Sequence, residues 1–146
     1  MNTARYFVAL PLCLALVACD AQPDVRLMIH APQPLAHDCL EQLPSHLSSQ
    51  VPLAQVRRPR PNEGVEYEVR EPASRIAVFQ DFATNNIEVS LTSEGSPSPD
   101  QKRASLGLLK DMHHGILSAC NLDPAKVQVE RSCSGDACKD PSYPNL

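Results

Sequence analysis

The stretch VEYEVREPASRIAVFQDFATNNIEVSLT, residues 65–92, alternates apolar and polar side chains in three successive runs. Val65, Tyr67 and Val69 alternate with Glu66, Glu68 and Arg70. Between 75 and 82, Ile76 and Val78 share one side while Ala77 and Phe79 share the other. Ile87, Val89 and Leu91 then alternate with Glu88, Ser90 and Thr92. Successive side chains of a strand point to opposite faces, so a period of two predicts three strands, each buried on one side. Asn85-Asn86 tolerates left-handed backbone and predicts a hairpin turn between the last two. Strands with one apolar and one polar face suit an antiparallel sheet covered on a single side.

Two amphipathic segments flank these strands and can supply the cover. On the C-terminal side, residues 94–99 read as a loop. Ser98-Pro99-Asp100-Gln101 reads as a helix start, with Ser as N-cap, Pro in the first turn and Gln closing a capping box. Leu108, Leu109, Met112, Ile116, Ala119 and Cys120 form one stripe, and Asn121 is the expected C-cap. Gly107 and Gly115 weaken this helix by up to ~1 kcal/mol each, which suggests that they permit close packing. Val127 and Val129 predict a last strand leading into a loop from Cys133 to Cys138. On the N-terminal side, residues 24–30 alternate as a strand. Leu35, Cys39, Leu40, Leu43 and Leu47 then recur at helical spacing. The expectation there is a helix at about 34–43, interrupted at Pro44, with a further turn to about 49. The order is β-α-β-β-β-α-β, and the expected fold is an α+β two-layer sandwich with both helices on one face of a mainly antiparallel sheet.

Residues 1–18 differ from the rest. Arg5 is their only charge, and Tyr6 to Ala18 is almost wholly apolar, interrupted by Pro11. A membrane span needs about 20 apolar residues, so a short apolar run behind a positive start reads as a secretory signal. Its end, Leu16-Val17-Ala18-Cys19, resembles the lipobox of bacterial lipoproteins cut by signal peptidase II. The resemblance covers about the first 20 residues. It implies cleavage between Ala18 and Cys19 and a diacylglycerol on the Cys19 thiol, where acyl chains contribute ~0.8 kcal/mol per buried methylene to anchoring. The other reading is an ordinary secretory signal cut at Ala18. Asp20 resembles the signal that keeps enteric lipoproteins in the inner membrane. The implied organisation is a signal peptide at 1–18, a lipidated tether at 19–24, a single domain at 25–139 and a loose tail at 140–146.

Charge and cysteine content narrow the possible roles. Maturation keeps all 17 acidic residues and removes Arg5 from the 13 basic ones, so the domain is more acidic than the precursor's −4. Phosphate binding needs a basic surface, which argues against nucleic acid as a partner. The absence of Trp argues against stacking grooves. Beyond Cys13 and Cys19, four cysteines remain: Cys39, Cys120, Cys133 and Cys138. In an oxidising compartment four cysteines read as two disulfides, with three possible connectivities. The short Gly-containing interval makes Cys133–Cys138 easy to close, which leaves Cys39–Cys120 as a long-range staple between the two helices.

No catalytic constellation is evident. Cys133 and Cys138 have four residues between them, unlike the two of a redox motif. His113-His114 are helix neighbours about 100° apart, which does not suit chelation of one ion, and no metal or other cofactor is expected. Glu66 and Glu68 read as exposed charges on the polar side of a strand. Arg57, Arg58 and Arg60 lie in 51–64, expected to be the least ordered stretch, and are candidates for contact with anionic headgroups or an acidic partner. The expected role is a non-enzymatic envelope lipoprotein that holds an envelope or periplasmic protein. The alternatives are an inhibitor or immunity-type lipoprotein blocking a toxic or lytic enzyme and, ranked below it, a small hydrolase.

Overall fold

The computed structural model describes residues 23–49, 54–56, 64–71 and 73–135. Its strands are β1 (Val25–His30), β2 (Ala54–Val56), β3 (Gly64–Glu71), β4 (Ser74–Asp81), β5 (Asn86–Ser93) and β6 (Gln128–Cys133). Its helices are α1 (Leu43–His46), which continues a 3₁₀ turn at Cys39–Gln42, and α2 (Pro99–Ala119). The strands form one sheet in the order β2-β3-β4-β5-β1-β6, antiparallel at every pairing. The fold is α+β, with the helical layer packed on one sheet face.

The alternation in residues 65–92 becomes cross-strand rows on that face. Leu27 pairs with Val89, Val89 with Val78, and Val78 with Tyr67. The next row runs Val25, Leu91, Ile76, Val69. All eight side chains are buried, and Leu40, Leu43, Leu109, Met112 and Ile116 close over them from the helical layer. Each such side chain contributes roughly 1.5–3 kcal/mol by leaving water. Between β4 and β5, Asn85 takes the left-handed conformation at φ 61°, and Asn86 is already paired with Asp81.

Local chemistry sets both ends of α2. Ser98 Oγ accepts from Gln101 N, and Gln101 Oε1 accepts from Ser98 N, so the capping box is complete. At the other end Asn121 adopts φ 51° one position beyond the C-cap, which is Cys120. Leu122 N donates to Leu117 O and Asn121 N to Ser118 O. This is a Schellman closure, with Leu117 and Leu122 both buried.

Several features differ from the sequence reading. Residues 31–38 are not helical. Their polar backbone groups are taken by side chains of the neighbouring hairpin: Asn85 bonds Leu35 N and Gln33 O, and Gln80 Nε2 donates to Ala36 O. The helical spacing survives only as inward contacts of Cys39, Leu40 and Leu43. Pro44 does not interrupt α1 but lies in its first turn, where no backbone donor is needed. β2 adds a strand within 51–64, and Asp24, where the tether and strand readings overlap, is held by the sheet through Leu91 O and Ser93 N.

Gly115 does permit close packing, since a Cβ there would lie 2.8 Å from Leu47 Cδ2. Gly107 does not: an added Cβ would meet nothing within 4 Å. Among the described residues no helix is long and apolar enough to cross a membrane.

Candidate functional site

The helical layer does not cover the sheet evenly. Where the first half of α2 passes the β3–β4 turn, the facing residues are small: Ala73 and Ser74 on the sheet side, Ala104, Ser105 and Gly107 on the helix. A cavity of about 710 Å³ remains there. Leu108 joins Ala73 and Ser105 in its buried interior, while Ser48, Gln101, Ala104 and Gly107 form an exposed rim. Glu71 from β3 and Asp111 from α2 complete the lining. Register places the cavity at the sheet end where the chain enters, because Glu71 pairs with Ser74, Ser74 with Ser93, and Ser93 N donates to Asp24.

Two polar clusters lie at the cavity. Ser74 Oγ and Ser105 Oγ are buried 2.7 Å apart and satisfy each other, which pins α2 to the start of β4. Asp111 accepts from Ser48 N at 3.0 Å, from Ser49 N at 2.9 Å and from Ser49 Oγ at 2.7 Å. Burial alone raises the Asp111 carboxyl, but the Ser49 and Ser48 hydrogen bonds outweigh it and bring it down to about 2. A carboxylate that weakly basic is a poor base toward Ser49 near neutral pH. The Ser49–Asp111 contact joins α2 to the segment after α1.

A second serine meets a histidine elsewhere. Ser118 Oγ lies 2.9 Å from His46 Nδ1, joining α2 to α1, and both side chains are exposed. His113 is half-buried, whereas His114 is exposed, and their rings are tilted 5.6 Å apart. Burial first, then His114 and Arg131, lower the His113 imidazole from its ordinary value. No group of three potential ligands that could hold a metal ion occurs among the described residues.

The other candidates from sequence are placed as follows. Cys39 and Cys120 are joined, with Cα atoms 4.8 Å apart, and the bridge ties the 3₁₀ turn before α1 to the C-cap of α2. Cys133 is disulfide-bonded, and Cys138, its expected partner, lies outside the described residues. Ala18 and Cys19, and Arg57, Arg58 and Arg60, also lie outside them. Glu68 is not the exposed charge expected: its side chain is 14% exposed, bonded by Arg70 and 3.7 Å from Arg75 on the same sheet face. Sequence reasoning missed the cavity altogether. Its only signal was the run of small residues at 104, 105 and 107 facing Ala73 and Ser74. Models of known protein families and the curated proteins contain no match to this chain.

Proposed function

We propose that this is a lipid-anchored protein of the bacterial envelope whose domain serves as a non-enzymatic binding module for an envelope or periplasmic protein. The address rests on Leu16-Val17-Ala18-Cys19 behind a short apolar run, with Asp20 favouring retention at the inner membrane. The observation that carries the binding role is the cavity between α2 and the β3–β4 turn. Its volume falls within the range of ligand sites, and its lining mixes an apolar interior with a few convergent polar groups. The position of Asp24 supports a partner close to the membrane surface, because the five residues from Cys19 to Pro23 reach at most roughly 18 Å when extended.

Radiolabelled palmitate fed to cells producing the full chain tests the address. The chain is expected to take up label and to sediment with membranes, and Cys19→Ser to do neither. A labelled, membrane-bound Cys19→Ser chain would refute the anchor. The binding role is tested by purifying the full chain from detergent-solubilised envelopes. A stoichiometric companion protein is expected with the wild type and absent with Gly107→Leu, which fills the cavity rim. Retention of the same companion by Gly107→Leu would remove the cavity from the binding role.

A further inference from the structure

The lining chemistry of the cavity selects its ligand. Ionised carboxylates accept hydrogen bonds and donate none. Glu71 and Asp111 therefore present acceptors only, and none of the described lining residues is a Lys or Arg. An anion seated here would face two carboxylates without a counter-charge. Asp111 already accepts from Ser48 and Ser49, but a purely apolar group would cover the Glu71 carboxylate while giving it nothing to bond, and burying an unpaired charge costs free energy. Buried Ala73 and Leu108, with Ala104 at the rim, form an apolar strip of the lining that suits a hydrocarbon stem, and the buried Ser105 hydroxyl beside them is taken up by Ser74. A ligand that satisfies both parts has an aliphatic body and a cationic head.

We infer that the cavity receives a lysine or arginine side chain of the partner polypeptide. The stem lies along Ala73, Ala104 and Leu108, and the head reaches the Glu71 and Asp111 carboxylates. Long basic side chains bury their methylenes in this way while keeping the charged end paired, and charge-assisted hydrogen bonds are about twice as strong as neutral ones. The acidic balance of the whole chain, −4, works in the same direction by drawing in a basic partner. This inference rests on the binding reading but is independent of the lipid anchor.

Amide NMR of the full chain in a neutral detergent tests it, with acetyl-Leu-Lys-Leu-amide as probe. The same peptide with norleucine or glutamate in the middle serves as comparison. Saturable shifts are expected at Ser49, Ala104, Gly107 and Leu108 for the lysine peptide, with binding weakened roughly tenfold by norleucine and more by glutamate. Glu71→Gln should reduce the preference for lysine over norleucine while leaving the spectrum folded. Gly107→Leu should abolish the shifts. Equal shifts from all three peptides, or a lysine preference unchanged in Glu71→Gln, would overturn the assignment. If no peptide moves the lining amides while Gly107→Leu still loses its companion protein, the cationic-ligand inference fails and the binding role stands.

Discussion

Gly115 lies where α1 presses on α2, and a Cβ built on it would stand 2.8 Å from Leu47 Cδ2 and 3.0 Å from Leu43 Cδ1. Gly107, two turns earlier on the same helix, faces open space. The two glycines carry the same helix penalty but different surroundings. Gly107→Ala should therefore raise the free energy of unfolding by about 0.5–1 kcal/mol. Gly115→Val should lower it by about 1–3 kcal/mol, because Leu43 is fully buried and cannot yield. Urea unfolding of both variants checks this, and a gain at both positions would contradict the close contact.

The Cys39–Cys120 bridge closes a loop with a sequence separation of 81. In the chain-entropy description such a loop stabilises the fold by roughly 4–5 kcal/mol, a large fraction of the 5–15 kcal/mol typical of a domain. Replacing both cysteines with alanine should shift the urea midpoint by the corresponding amount. A shift under about 1 kcal/mol would mean that the packing of α2 on β5 suffices without the bridge.

Asp111 gives the domain an acid-sensitive contact. Its carboxyl titrates at about 2 when folded, below the ordinary value of 3.8. Between those values the unfolded chain binds the extra proton, so the contribution is complete above about 4 and fades as pH falls toward 2. Allowing for the partial exposure of this group, it is worth about 1 kcal/mol. Asp111→Asn should cost that much at pH 7 and little at pH 2.5. A constant difference across that range would rule out the linkage.

His113 acts in a different window. Its imidazole is lowered by burial, then by His114 and Arg131, so the unfolded chain takes up the proton first as pH falls below 6.5. Stability from this group is present above 6.5 and declines as the solution is acidified. Thermal melts of the wild type should fall between pH 7.5 and 5.5 more steeply than those of His113→Leu. Parallel curves would show that His113 does not couple to folding.

Features governed by near neighbours were legible in the sequence. The three strands of residues 65–92, the left-handed turn at Asn85 and the Ser98–Gln101 capping box each depend on a few adjacent residues. The Cys39–Cys120 pairing was also reachable, because few cysteines leave few combinations. What escaped depends on distant contacts. Gln80 is buried at a position where alternation predicts an apolar residue, and its partner is a carbonyl in the non-helical segment 31–38. Helical spacing at Leu35, Cys39 and Leu43 therefore described burial without describing backbone. The insertion of β1 between β5 and β6 is likewise invisible to local pattern, since each pairing spans more than 50 residues. The cavity arises from small residues on two elements that meet only after folding.

The bridge from Cys39 to Cys120 also determines how the molecule responds to being cut. Any single cleavage between those two positions leaves two fragments covalently joined, with β1 on one and β6 on the other, still paired in the sheet. A protease acting at one such site would yield a product that migrates as one species without reductant and as two with it. Both halves would remain attached to whatever holds the N-terminus.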